Sequence, residues 1–382
     1  MGVRPGVTIT GVGLHPFGRF EDRTAIDMAV VAVRAALAEA GSPRIDAAYC
    51  GTAYTGVAAG HRVLGRLART GIPIVDVEAG CASGAAALAM GAQAIRSGEH
   101  DTVLVFGTEK MPKGMIRSSF FEPWQEAAGF SPAPAYFALR AQRLLRERGL
   151  TKDHLASVVV KNRAHGAANP DALFQKPVTA DEVLASRVVC EPLHLWMLCS
   201  PDEGAAAVVL SRNESGAAAG ASVELRAAAL RSHLPGSVLD ESTPLAGLAD
   251  DAAITPPTAL AAADAYATAG IGPEDVDVVE CQDTDAAREL IAYEELGICA
   301  PGDQARVLAD GDAGMGGRRP VNPSGGLLSK GEPLGASALG QVVELVRQLR
   351  GEAGPRQVDG ARVALGHTIG RGANASVVVL AR

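Results

Sequence analysis

A thiol at the joint between a strand and a helix is the first group in this sequence with the setting for chemistry. Cys81 stands in Val75-Asp-Val-Glu-Ala-Gly-Cys81-Ala-Ser-Gly-Ala-Ala-Ala-Leu-Ala-Met90. The apolar run Ile72 to Val77 reads as a buried strand. Residues Ala82 to Arg96, almost free of β-branched side chains, read as a helix. A sulfur at that joint faces the free N–H groups and positive dipole end of the helix, which favour thiolate. The same pattern also fits a structural cysteine on a tight turn, so the thiol has two readings at this point.

The elements around it alternate. Val7 to Val12 reads as a strand, and Ala25 to Ala40 as a helix with Ile26, Ala29, Val30, Val33, Leu37 and Ala40 on one face. Ala47 to Gly51, His61 to Thr70 and Thr102 to Gly107 continue the strand and helix order. Between Met111 and Leu150 prolines interrupt it, and Phe120, Phe121, Phe130, Phe137 and Trp124 gather there. They read either as the lining of an acyl-sized pocket or subunit contact, or as the segment's own small core. Phe137 to Arg148 reads as a helix with Arg140, Arg143, Arg146 and Arg148 outward, a solvated face or a meeting place for phosphates. The Ser, Gly and Ala run from Asn213 to Ala221 is the best linker. Beyond it strand Ser222 to Leu230, helix Thr258 to Ala269, strand Val276 to Cys281, helix Ala286 to Leu296, helix Gly335 to Arg350 and two final strands repeat the earlier order. The expectation is an α/β chain of two related halves, 1–215 and 221–382, with a loop layer over about 111–200.

Composition sets outer limits. The 382 residues, 47% hydrophobic and 20% charged, suit a folded globular protein. A formal charge of −8 argues against a general nucleic-acid or anionic-membrane surface. Six cysteines without CxxC pairing or metal-ligand spacing read as reduced thiols, so no metal is expected. The N-terminal residues do not form a signal peptide and no apolar run spans a bilayer, which makes a cytoplasmic location the default. The richness in Ala, Gly and Arg is that of a high-GC bacterial protein.

The run Gly80-Cys-Ala-Ser-Gly-Ala-Ala-Ala-Leu88, followed by Leu104-Val-Phe-Gly-Thr-Glu-Lys-Met111, resembles the nucleophile segment of the thiolase superfamily. Further matches are Lys161-Asn162 through Asn169-Pro170, Asp202-Glu-Gly-Ala-Ala-Ala207, Asn322-Pro-Ser-Gly-Gly-Leu-Leu-Ser-Lys-Gly-Glu-Pro-Leu-Gly-Ala336, Leu349 to Gly354 and Ala364-Leu-Gly-His-Thr-Ile-Gly370. Together they cover nearly the whole chain and are similar to the sterol-carrier-protein-2 (SCP2) type branch. The resemblance implies a duplicated five-layer αβαβα fold with mixed sheets, and a homodimer.

It also assigns roles, and departs from the pattern at several. Cys81 matches the nucleophile, and its amide with that of Gly370 matches the oxyanion hole. Where this branch carries His-Asp-Cys-Phe the chain has Gln282-Asp283-Thr284-Asp285. Gln282 then stands for the oxyanion-hole His and Thr284 for the second acid/base Cys; a Gln amide can still donate, but a threonine cannot shuttle protons near neutral pH. Cys281, one residue away on the opposite face of a strand, reads as structural. Gly-His-Pro becomes Gly331-Glu332-Pro333. Glu332 reads either as a buried base of raised pKa or as a paired structural acid, and a carboxylate beside Cys81 would oppose the thiolate. His367 is retained and is the imidazole available to Cys81, whereas His165, Ser324 and Gly325 match substrate-facing positions. These changes equip the site poorly for thiolysis. Three functions stay open: an acyltransferase or divergent condensing enzyme taking acyl groups from coenzyme A or carrier-protein thioesters, with no resident cofactor; a retro-aldolase of steroid side-chain type working with an OB-fold (DUF35) protein; and a non-catalytic subunit.

Overall fold

The computed structural model describes residues 5–114, 123–129, 132–212, 222–235, 254–370 and 374–382. The linker at 213–221 and Phe120, Phe121 and Phe130 lie outside them.

The first half contains β1 (Val7–Gly18), α1 (Ala25–Glu39), β2 (Ala47–Gly51), α2 (Ala59–Arg66), β3 (Ile74–Val77), α3 (Ser83–Arg96) and β4 (Thr102–Lys110). An excursion of α4 (Pro123–Ala127), α5 (Ala133–Arg148), α6 (Lys152–Ala167), α7 (Ala180–Ala185), β5 (Val188–Cys190) and β6 (Leu193–His194) follows before β7 (Glu203–Arg212). The second half contains β8 (Val223–Ser232), α8 (Pro257–Ala269), β9 (Val278–Cys281), α9 (Ala286–Glu295), α10 (Gln304–Ala309), α11 (Gly326–Lys330), α12 (Leu334–Arg350), β10 (Val363–Ile369) and β11 (Asn374–Ala381).

Strand order is β3-β2-β4-β7-β1 in the first half and β8-β11-β10-β9 in the second. The β2–β3, β2–β4 and β9–β10 pairs are parallel; the pairs of β7 with β1 and β4, and of β11 with β8 and β10, are antiparallel. The two halves meet edge to edge where Thr8 pairs with Glu224 and Ile9 with Val223. Val321 bridges Val279 in parallel, the counterpart of β3 beside β2. The two halves therefore share one strand arrangement.

Helices complete the layers. Alternation along each strand sends one set of side chains outward and one inward. On the first half the outward set packs with α1 and α2, through Ile26, Met28, Val33, Leu104 and Val209. On the second it packs with α8 and α9, through Ala261, Leu290, Leu365 and Val379. The inward sets of both halves of the sheet close on α3 and α12, through Leu88, Ile95, Val105, Leu339, Val343 and Val378. The small residues of α3 allow this approach. At its tightest point a Cβ on Gly107 would lie 2.0 Å from the Gly335 carbonyl oxygen, so β4 and the start of α12 touch through main chain.

Three expectations change. The strand before Cys81 is not buried: β3 is a sheet edge and Val75 is 40% exposed. A helix not read from the sequence, α6, buries Asn162, Arg163 and His165 together with its aliphatic residues, which blurs the apolar period. Arg140 does not face outward but is 1% exposed. It pairs with buried Asp285 and lies against the rings of Tyr136 and Phe137, so only part of the basic face exists.

Candidate functional site

The turn that holds Cys81 is fixed by its own hydrogen bonds. Ser83 Oγ donates to the Gly80 carbonyl at 2.6 Å and accepts from the Ala79 amide at 2.9 Å. The Ala82 and Ser83 amides close onto the carbonyls of Ala79 and Gly80. Cys81 is left half-buried, two residues before α3 and at the helix end that favours negative charge.

Facing it is the segment between α11 and α12. Glu332 is anchored by its amide, which donates to the Ser200 carbonyl at 3.0 Å, and its side chain is buried. Two groups donate to that carboxylate: Cys199 Sγ is 2.9 Å from Oε2 and Gln282 Nε2 is 3.1 Å from Oε1. Burial pushes the Glu332 carboxyl above its ordinary value, and Cys199, the nearby Cys81 thiol and Gln282 hold back part of the rise. Cys81 and the carboxylate are therefore neighbours.

Gln282 lies on the inner face just past β9. Its Oε1 accepts the Ile369 amide at 2.7 Å, which turns the NH2 group toward Glu332. It is placed to orient the carboxylate, with one of its two N–H bonds already given to it. Cys281, next to it, points to the outer core and is fully buried.

The structure does not bring His367 to Cys81. His367 pairs with Cys281 across β10 and β9, and both side chains face the outer layer. Its Nε2 is 3.0 Å from Thr258 Oγ1, which also accepts from Arg288 at 2.9 Å. Burial, and then the Arg288 charge, hold the imidazole well below its usual pKa, so it is neutral. Its neighbour Thr368 faces inward instead, donating to Gln341 of α12 at 3.0 Å.

The Gly370 amide is also not an oxyanion donor here, because it donates to the Asn374 carbonyl at 2.8 Å. The glycine is needed for space: a Cβ there would lie 1.9 Å from the Ala79 carbonyl oxygen beside the Cys81 turn. The Thr284 hydroxyl is occupied by Arg140 at 3.2 Å and Asp285 at 3.3 Å, while its carbonyl accepts the Cys199 amide at 2.9 Å. Ser324 is fully buried, and its amide and hydroxyl both donate to Glu280, at 2.9 and 2.7 Å. Gly325 starts α11 with φ of 99°, packed on Gly166. His165 is buried with Nδ1 2.9 Å from the Asn322 carbonyl, and burial lowers its pKa to about 4. Ser324, Gly325 and His165 thus build the loop behind the site, and their polar atoms serve neighbouring residues of the chain.

Two site residues escape the sequence reading. Cys199 keeps some exposed surface, but its sulfur is directed onto Glu332. The available signal was its place just upstream of the Asp202 motif. Asp202 is fully buried, and among the described residues neither of its carboxyl oxygens has a hydrogen-bond partner. Burial raises its pKa far above the usual carboxylate range, more than the nearby Arg19 and Lys330 charges lower it.

Comparison with known proteins follows the same lines. The family model for the thiolase N-terminal domain matches residues 7–215 and that for the thiolase C-terminal domain-like family matches 245–382. The chain is 37% identical to sterol carrier protein 2 of Bos taurus, over 99% of this chain and 72% of that protein. It is 36% identical to acetyl-CoA acetyltransferase of Methanothermobacter thermautotrophicus, over 98% of this chain and 99% of that one. Among solved structures, an Ltp2–ChsH2(DUF35) aldolase superposes with a TM-score of 0.86 at 26% identity, covering 99% of this chain and 98% of that one.

Proposed function

The chain belongs to the thiolase family, in its SCP2 branch, and on that premise we propose that it is a thioester-dependent acyltransferase with Cys81 as nucleophile and Glu332 as base. The observation that carries this reading is the buried Glu332 carboxylate beside Cys81, held by Cys199 Sγ at 2.9 Å and Gln282 Nε2 at 3.1 Å. A base beside its nucleophile needs no imidazole between them. Glu332 takes the Cys81 proton as sulfur attacks the thioester carbonyl. The carbon–sulfur bond to coenzyme A or a carrier pantetheine breaks, and Glu332 returns the proton to the departing thiolate. Free thiol and acyl-Cys81 result; an acceptor thiol, hydroxyl or carbon acid then gives its proton to Glu332 and takes the acyl group as the carbon–sulfur bond to Cys81 breaks, and Glu332 returns that proton to the Cys81 sulfur. Acyl-CoA or acyl-carrier thioester is substrate here, not a resident cofactor.

The reading includes a homodimer, a cytoplasmic location and, as a further partner, an OB-fold DUF35 protein. Among the described residues no helix is long and apolar enough to cross a membrane.

Aldol cleavage is the second reading, favoured by the likeness to the Ltp2–ChsH2(DUF35) aldolase. Glu332 would then take the proton of a β-hydroxyl. The Cα–Cβ bond breaks to release a carbonyl compound, and the thioester enolate is reprotonated.

Intact-mass spectrometry separates the two. With a panel of acyl-CoA donors the expected result is one added acyl group on the wild type and none on Cys81→Ala. A wild type that stays unmodified, while it and Cys81→Ala both split a β-hydroxyacyl-CoA, overturns acyl transfer in favour of aldol cleavage.

A further inference from the structure

Glu332 has an unusual guard. A second thiol, from a different part of the chain than the nucleophile, occupies the carboxylate oxygen that Gln282 leaves open. Cys199 is not there by default of packing alone. Its amide donates to the Thr284 carbonyl at 2.9 Å, and on the next residue the Ser200 carbonyl accepts the Glu332 amide at 3.0 Å. The same short segment therefore clasps Glu332 through main chain and side chain.

We infer that Cys199 is a positioning residue for the base: its S–H donates to Glu332 Oε2, fixes the rotation of the carboxylate and keeps it ionised in a buried setting, so that it can accept a proton from Cys81. The inference rests on the reading of Glu332 as base. A buried carboxylate left with fewer donors is driven to the neutral form. Other groups facing Glu332 do not replace this donor. Gln282 is already bonded to its other oxygen, and Cys81 is the group whose proton it would accept. Asp202 beside it is an acid whose pKa burial raises well above the ordinary value, and neither of its carboxyl oxygens is hydrogen-bonded to Glu332. Asp283, near the Cys199 thiol, accepts the Leu327 and Leu328 amides at 2.6 and 3.2 Å. Lys330, on α11, is turned away to the Gly340 carbonyl at 3.1 Å. At neutral pH Cys199 is itself a thiol, because burial and then the Glu332 charge raise its pKa well above the ordinary value.

The test reads Cys81 without any acyl donor, so it stands or fails apart from the acyl-transfer proposal. Iodoacetamide labelling of the full chain is followed against pH, with Cys81 and Cys199 peptides resolved by mass spectrometry. Wild type should show an acid limb for Cys81 set by the Cys81–Glu332 pair. Cys199→Ala should move that limb up by about one to two pH units, the scale of one hydrogen bond to a charged group. Cys199→Ser, which keeps an O–H donor, should bring it back. If Cys199→Ala unfolds, Cys199→Val serves as the non-donor. A limb unchanged in a folded non-donor variant, or shifted equally in the serine variant, overturns the inference.

Discussion

The two faces of the second-half sheet hold polar groups one residue apart and use them in opposite ways. On the outer face His367, Thr258 and Arg288 form a closed set in which the imidazole is neutral and points at other buried side chains. On the inner face Gln282 and Glu332 meet two thiols, both on partly exposed residues. Burial is similar on both sides. What differs is access and the kind of partner: the outer set ends on a fixed cation, the inner set ends on a group that can give up its proton. A retained catalytic-type residue is therefore no guide to the site unless its strand face is known.

That contrast can be broken by mutation, the largest effect first. Glu332→Gln should slow acylation of Cys81 by about 10²- to 10⁴-fold, the range of a lost general base, with little change in melting temperature. His367→Asn should leave acylation within about twofold. Rapid-quench mass spectrometry of the two variants side by side decides the point, and a reversed order would return His367 to the site.

A stability effect of comparable size belongs away from both faces. Arg140→Leu leaves Asp285 buried without its cation, at a cost of about 3–5 kcal/mol in denaturant unfolding. A loss below about 1 kcal/mol would show that Asp285 finds another partner.

Acid should weaken the outer and rear walls. His165 and His367 have folded pKa values below the unfolded 6.5, so the unfolded chain binds more protons and stability falls as pH drops through 6.5. For His165, whose pKa is pushed down to about 4, the loss at pH 4 is about 3 kcal/mol relative to pH 8. Urea unfolding across that window should be flatter in His165→Gln, and an equal slope would refute the assignment. The smallest effect is Thr258→Val, which removes the partner of His367 Nε2. It should cost about 1 kcal/mol in the same assay and leave the rate of Cys81 acylation unaltered.

Much of this arrangement was legible from one sequence. The strand and helix order of both halves followed from apolar period and from Gly and Pro punctuation. Cys81 was recognisable by its place between strand and helix, and the opposed faces of Cys281 and Gln282 by strand alternation. What was hidden depends on contacts between distant segments. His367 looked available to Cys81 because its face is decided by the pairing of β10 with β9, which no local pattern records. Arg140 followed a helical period that placed it outward, yet it pairs with an acid 145 residues away. Cys199 belongs to an irregular segment without period, and only the return of the chain into β7 brings it to Glu332.

The contact of Gly107 with Gly335 has an implication for how such a protein can change. The half that carries Cys81 and the half that carries Glu332 meet there backbone against backbone, with no side chain as spacer. Side chains at 282, 284 or 332 can then be exchanged while that main-chain seam keeps the two halves at the same separation.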